Sequence, residues 1–164
     1  MYLVKVFLFF SAFGFFIEIF MKFMFHPSMN TGILYGPWIP IYGLGVVVTV
    51  VTGNFISKKM KNNIWKQALV MFFALFVIIS LLEFSGGMLL EYTFGIIYWD
   101  HSHFALSIGP YIAAEMSIIW ALLLSIFYYG IKNKADLVLK RIPNNVALFI
   151  LILFCMDVIF TFLA

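Results

Sequence analysis

The sequence predicts an all-α fold, a polytopic membrane bundle of about five transmembrane helices joined by short loops. Hydrophobic residues make up 65% of the 164 positions. Charged residues make up only 10%, against about 25% in soluble domains. The mean hydropathy is +1.09. The apolar residues form five long runs. Because lipid cannot hydrogen-bond to backbone groups, a helix is the only plausible form for such runs.

The predicted spans have approximate bounds 3–25, 38–56, 67–91, 109–129 and 144–164. Each has about 19 to 25 residues, or roughly 28 to 38 Å of helix, enough for a hydrocarbon core of about 30 Å. The first run is too long for the apolar region of a signal peptide, so we expect it to be retained. Because the connections are short, the whole chain, 1–164, is predicted to form a single integral membrane domain.

The basic residues predict an orientation. Eight of the ten lie between the second and third runs or between the fourth and fifth: Lys58, Lys59, Lys61, Lys66, Lys132, Lys134, Lys140 and Arg141. The positive-inside rule places both connections and the N-terminus in the cytoplasm and the C-terminus outside, with Lys22 as the exception. No basic stripe interleaved with aromatic residues exists, so nucleic acid is not an expected partner.

Acidic residues lie inside the predicted spans, and in this orientation all of them fall in the outward half. They are Glu18, Glu83, Glu91, Glu115 and Asp157. An acid within a span costs a few kcal/mol, so such residues rarely face lipid. The pattern predicts a shared polar cavity that opens outward. The alternative is that the acids are protonated or locally paired and only join helices.

Two segments that the predicted orientation places outside, 26–43 and 95–109, have unusual composition. In the first, Pro37 and Pro40 disfavour a regular helix start, while Gly36 and Gly43 allow tight turns or close contact. This segment is predicted either to be partly unwound where it lines the cavity or to be an ordinary helix entry with proline in its first turn. The second segment, 95–109, carries several aromatic residues suited to the membrane interface.

The third span carries the densest polar pattern. Glu83, Gly87 and Glu91 drift across about 80° of one helix face and rise about 12 Å. Glycine lets another backbone approach closely, so a tight polar seam is expected here, together with plain helix packing.

Enzyme signatures are absent from the sequence: it has no P-loop, no G-x-S-x-G and no H-E-x-x-H. The chain is therefore not expected to hydrolyse ATP itself or to form a zincin centre, and no cofactor is predicted. Imidazole and carboxylate groups could bind a metal, but histidines in loops are commonly just solvated, so no metal site is predicted. The residues concerned are His26, Asp100, His101 and His103.

Two sequence blocks support a family resemblance. The first is Gly32-x-x-Tyr35-Gly36-Pro37-Trp38-x-Pro40-Ile41-Tyr42-Gly43-x-Gly45, and the second is Glu83-x-x-x-Gly87-x-x-x-Glu91 followed by Trp99-Asp100-x-Ser102. Together they resemble the bacterial membrane family catalogued as putative ABC-transporter type IV (CmpB-like), although that family more often has tyrosine at the position of His101. The resemblance implies a small multi-spanning protein of the bacterial cytoplasmic membrane.

Three functions are compatible with these observations. The first is a membrane component of a transport or export system, which would need a separate ATP-binding subunit docked on the lysine-rich connections. The second is a structural, assembly or regulatory membrane protein, and the third is an intramembrane enzyme acting on lipid or envelope precursors. Expected partners are the lipid bilayer, an ATP-binding subunit or other membrane protein, and a second copy of the chain.

The candidate residues follow from these patterns. Those predicted to bind a substrate or ion are Glu83, Glu91, Asp100, Glu18, Tyr42, Trp99 and Ser102. Those predicted to hold the structural motif are Gly36, Pro37, Trp38, Pro40, Gly43 and Gly87. No catalytic residue is predicted.

Overall fold

The computed structural model describes residues 1–24, 32–61 and 63–163. In chain order the elements are α1 (Tyr2–Met24), α2 (Pro40–Lys59), α3 (Ile64–Phe94), β1 (Ser107–Ile108), β2 (Ile112–Ala113), α4 (Ala114–Ile126), a π-helical segment (Phe127–Ile131), α5 (Lys132–Arg141) and α6 (Asn144–Leu163). The predicted ends of the first and last spans, Phe25 and Ala164, lie outside the described residues, as does His26.

Five helical stretches in this described part are long and apolar enough to cross a membrane. They are Tyr2–Met24, Pro40–Lys59, Ile64–Phe94, Ala114–Arg141 and Asn144–Leu163. The shortest have 20 residues, which gives about 30 Å of helix. No more than 33% of any of the five apolar windows is buried inside the protein, so most of their apolar side chains are free to contact lipid. The predicted all-α membrane bundle of about five spans is confirmed.

Helix α3 begins and ends at well-defined caps. The Asn63 side chain accepts a hydrogen bond from the Lys66 N–H at 3.0 Å, which satisfies one of the free donors of the first turn. At the other end Gly95 adopts a left-handed conformation with φ 67°, and its N–H donates to the Glu91 carbonyl at 2.8 Å. The helix therefore has 31 residues and extends beyond both expected bounds, 67 and 91.

The segment before α4 is a short hairpin. Strands β1 and β2 are antiparallel, with Ser107 opposite Ala113 and Ile108 opposite Ile112. Gly109 makes the turn with φ 58°, a backbone conformation that glycine adopts at no steric cost. Helix α4 consequently begins at Ala114 rather than at Gly109, and it continues through the π-helical segment into α5.

The chain forms two compact units. Unit 1 contains Met1–Val47 and Asn133–Ala164, and unit 2 contains Val48–Lys132. In unit 1, α1 approaches the start of α2 closely at two glycines. A Cβ on Gly14 would lie 2.4 Å from the Tyr42 ring, and one on Gly43 would lie 2.2 Å from Ser11 Oγ. Glycine at both positions therefore permits the close packing of these helices.

Unit 2 has a buried core formed by three helices. Met71 and Leu75 of α3 are fully buried and pack with Ile56 of α2 and Ala121 of α4. The same close approach recurs here, because a Cβ on Gly53 would lie 2.3 Å from the ring of Tyr128. The Tyr128 hydroxyl donates to Asn54 Oδ1 at 3.0 Å, which fixes the ring over α2.

Replacing Gly53 with alanine should destabilise unit 2. The added methyl group would overlap the Tyr128 ring, and overpacking of this kind costs about 1 to 3 kcal/mol. Thermal unfolding in mild detergent, followed by circular dichroism, should show a lower midpoint for Gly53→Ala. The matched control is Gly130→Ala, since nothing lies within 4 Å of a Cβ there. Equal midpoints for the two variants would contradict the packing argument.

Candidate functional site

The carboxylate of Asp157 on α6 is the centre of a hydrogen-bond cluster in unit 1. Its Oδ1 accepts the Tyr35 N–H at 3.1 Å. Its Oδ2 accepts the Gly36 N–H at 2.7 Å and the indole Nε1–H of Trp38 at 2.7 Å. Thr161, one turn further along α6, adds a longer bond of 3.4 Å from its hydroxyl. The cluster joins the non-helical segment 32–39 to the last helix.

This cluster explains how a non-helical backbone can lie among apolar helices. Segment 32–39 is not helical, so its backbone N–H groups need hydrogen-bond acceptors, which lipid cannot supply. Asp157 satisfies two of them, and the Ile39 N–H donates to the Ser11 carbonyl of α1 at 2.9 Å. Residues 32–39 are non-helical, and α2 begins at Pro40, so proline lies in the first turn as the helix-entry alternative predicts. Whether 32–39 lines the predicted outward cavity stays a prediction.

Glycine is required at position 36 by the same contacts. A Cβ there would lie 2.1 Å from Trp38 Nε1 and 2.8 Å from Asp157 Oδ2. Any larger residue would therefore separate the indole from the carboxylate. The Trp38 ring also packs edge-on against Phe154, with the ring centroids 6.0 Å apart. Gly36 and Trp38 act together as a structural pair.

A second cluster lies in unit 2, where α3 meets the loop before α4. The Tyr111 hydroxyl donates to Glu91 Oε2 at 2.6 Å, and the Trp99 indole N–H donates to the Tyr111 carbonyl at 2.7 Å. Gly87 makes room for both rings, because its Cβ would lie 3.0 Å from Tyr111 and 3.3 Å from Trp99. The hydrogen bond to Glu91 raises the pKa of the Tyr111 phenol.

The predicted ligands Asp100 and Ser102 lie on the loop at the edge of this cluster. Both are exposed, and the Ser102 N–H donates to Asp100 Oδ1 at 2.8 Å in a local turn. The hydrogen bonds from Ser102 hold the pKa of Asp100 below its usual value. Partial burial lowers the pKa of His101 and thus favours its neutral form. This loop is therefore a surface turn in which hydrogen bonds from Ser102 stabilise the carboxylate of Asp100.

The remaining acids differ in how they are satisfied. Glu115 Oε1 accepts the Leu106 N–H at 3.1 Å. Glu83 is 8% exposed, and its Oε2 has no hydrogen-bond partner among the described residues. Glu18 is also 8% exposed, on α1. Asp157, Glu91 and Glu115 therefore accept specific hydrogen bonds from described residues.

The structure groups the predicted site residues by unit. Unit 2 brings Glu91, Trp99 and Gly87 together, with Glu83 two helical turns before Glu91 on α3. Glu18, Tyr42, Gly36, Trp38 and Gly43 belong to unit 1. One cavity of about 190 Å³ in unit 1 is lined by apolar side chains, Trp38 and Lys5 rather than by acids. The outward acidic cavity therefore stays a prediction.

Sequence reasoning missed two of the residues that organise these clusters. Tyr111 was not singled out, although it follows the Gly109-Pro110 turn and precedes a span. Asp157 was noted as an acid within a span but not assigned to the site. Its position was the available signal, since an embedded acid needs a partner. Within 1–24, 32–61 and 63–163, no group of three or more His, Cys, Asp or Glu side chains could hold a metal ion.

The five long apolar helices define a multi-pass membrane protein, and carboxylates carried by two of these helices bond to its irregular segments. The family described as Putative ABC-transporter type IV matches residues 5–162, nearly the whole chain. The protein belongs to this family, which confirms the resemblance found in the sequence. No curated protein and no solved structure matches it.

Asp157→Asn should destabilise the attachment of segment 32–39. The asparagine amide would present a donor where the Gly36 and Trp38 donors converge, and a buried group left without its partner costs about 1 to 3 kcal/mol. Thermal unfolding in detergent should show a clearly lower midpoint. The control Thr161→Val removes only the 3.4 Å bond and should change little. A midpoint for Asp157→Asn equal to that of the control would refute this role.

Proposed function

We propose that the chain is the membrane component of a transport or export system, working with a separate ATP-binding subunit. The observation that carries the proposal is the family match over 5–162 together with five apolar helices long enough to span a membrane. The sequence has no P-loop of its own, so ATP hydrolysis would be supplied by a partner. In this proposal the whole chain acts as one integral membrane domain.

The residues proposed to meet a cation or polar solute are those that the sequence singled out. Glu83 and Glu91 lie on α3, and Trp99, Asp100 and Ser102 follow it. Within unit 1, Tyr42 of α2 and Glu18 of α1 are the residues proposed to contact a solute. Glu83 supports this role best, because its Oε2 is not already used in a hydrogen bond within the described chain. Glu91 and Asp100 would have to exchange their present partners for the solute.

A second candidate function is a non-catalytic assembly or regulatory membrane protein. The observation that favours it is the use of Asp157 and Glu91 to fix irregular segments rather than to line an open site. In that case the partner would be another envelope protein, or a second copy of the chain, instead of an ATPase.

The lysine-rich connection between α2 and α3 is a proposed docking site for the ATP-binding subunit. Changing Lys58, Lys59 and Lys61 to glutamate should abolish co-purification of a nucleotide-binding protein with the full chain in mild detergent, because it reverses the local charge. The matched control replaces the same three residues with arginine and should keep the complex. Mass spectrometry and nucleotide binding would identify the partner. Recovery of another envelope protein in its place would favour the second candidate function.

The proposed location is the bacterial cytoplasmic membrane, with the N-terminus inside and the C-terminus outside, as the distribution of lysine suggests. In a Cys155→Ser background, a cysteine at Ser102 should react with a membrane-impermeant maleimide added to intact cells. A cysteine at Lys61 should react only after the cells are lysed. Both residues are exposed, so access within the protein is equal. The reverse labelling pattern would contradict this orientation and would place the N-terminus outside and the C-terminus inside.

A further inference from the structure

A cavity of about 190 Å³ lies between α1 and α6 in unit 1, and we call it the α1–α6 cavity. Eight of the described residues line it, and seven of them are apolar. The exception is Lys5, in the first turn of α1. Trp38 also lines the cavity, but its indole N–H already donates to Asp157. Within this lining, Lys5 is therefore the side chain that can bind a polar group.

The α1–α6 cavity extends from the start of the two helices toward the middle of the spans. Lys5 lines it near the beginning of α1, and Ile142 lines it just before α6 begins. Ala12 lies about 10 Å further along α1, and Ile150 lies about 9 Å beyond the start of α6. The long axis of the cavity therefore follows the direction that an acyl chain takes from a lipid headgroup into the hydrocarbon core.

The lysine end of the cavity carries further positive charge. The Tyr2 hydroxyl donates to Asp136 Oδ1 at 2.6 Å, which holds α5 beside the start of α1. Lys140 follows Asp136 by four residues on the same face of α5, and Arg141 directly precedes the lining residue Ile142. Neither α1 nor α6 has an acidic residue in its first turn. Basic residues therefore outnumber acids at this end of unit 1.

An apolar cavity with cations at one end matches the two parts of an anionic phospholipid. The acyl chain can contact the apolar lining, and the headgroup phosphate can accept hydrogen bonds from Lys5. Lysine and arginine bind phosphate through charge-assisted hydrogen bonds, and basic pockets between membrane helices bind anionic headgroups. A polar solute would leave most of the lining without a matching group. A zwitterionic lipid would bring its own ammonium group toward the lysine end, where like charges repel.

We propose that the α1–α6 cavity binds one phospholipid with a net negative headgroup, and that Lys5 contacts its phosphate. Six of the eight lining residues among those described are partly exposed, so the cavity can be reached from the protein surface. Lys5 lies in the first turn of a span, at the level where headgroups meet the hydrocarbon core. The site belongs to unit 1 alone, so it does not depend on an ATP-binding subunit.

Thermal unfolding of the full chain in mild detergent tests the selectivity for the headgroup. Phosphatidylglycerol should raise the midpoint until the site is saturated, because a ligand that binds the folded state stabilises it. Phosphatidylcholine with the same acyl chains should raise the midpoint much less. Native mass spectrometry of the same samples should show one bound phosphatidylglycerol per chain. Equal shifts for the two lipids would overturn the proposal.

Variants of Lys5 test the contact with the phosphate. Lys5→Gln should weaken the binding of phosphatidylglycerol roughly fivefold, as expected for one lysine at the membrane surface. Lys5→Arg keeps the charge and should keep the affinity. The matched control is Lys22→Gln, which removes a lysine from the last turn of the same helix, outside the cavity lining. A loss of affinity in Lys22→Gln as large as that in Lys5→Gln would refute the assignment, and midpoints without added lipid show whether each variant folds.

The apolar part of the cavity is tested separately. Ala12→Phe places a ring in the cavity and should lower the amount of phosphatidylglycerol that is bound. Glycerol phosphate, which has no acyl chain, should leave the midpoint of the wild-type chain unchanged. A shift with glycerol phosphate as large as that with phosphatidylglycerol would indicate a simple phosphate site and overturn the lipid assignment. Oleate that displaces phosphatidylglycerol at equal concentration would overturn it as well, in favour of a free fatty acid.

Discussion

The need to satisfy backbone amides in an apolar environment governs the form of unit 1. A segment outside a regular helix has free N–H groups, and in lipid each unsatisfied group costs several kcal/mol. Segment 32–39 is such a stretch, and the carboxylate of Asp157 accepts from two of its amides and from the Trp38 indole. The cost of placing an acid in α6 is offset by the donors that it satisfies. The start of α2 is fixed by the same contact.

Unit 2 uses the same principle with different groups. Gly95 closes α3 with a left-handed turn, and Tyr111 then links the following loop to the helix through Glu91 and Trp99. Gly87 has no side chain to obstruct the two rings. Glu83 differs from Glu91, because it is buried and its Oε2 has no hydrogen-bond partner within the described residues. The contrast between Glu91 and Glu83 separates an acid used for structure from one that remains available.

Run length and hydropathy were sufficient to predict the five spans, because the bilayer sets a minimum length that the sequence must meet. The irregular segments were harder to predict. Segment 109–113 is apolar enough to be read as helix, and only the left-handed Gly109 turns it into a hairpin. The bond between Gly36 and Asp157 joins residues 121 positions apart, so no local pattern could reveal it. Composition shows that an embedded acid needs a partner, and only the fold shows which partner it has.

The family signature can now be divided by what its residues contact. Gly36 and Trp38 are committed to Asp157, while Gly87, Glu91 and Trp99 surround Tyr111. These residues hold irregular backbone in place, so their presence identifies the architecture more directly than it identifies a solute. A group that binds a solute must then be one that is not already hydrogen-bonded within the protein. Within the described chain Glu83 Oε2 meets that condition, because it is buried and makes no hydrogen bond.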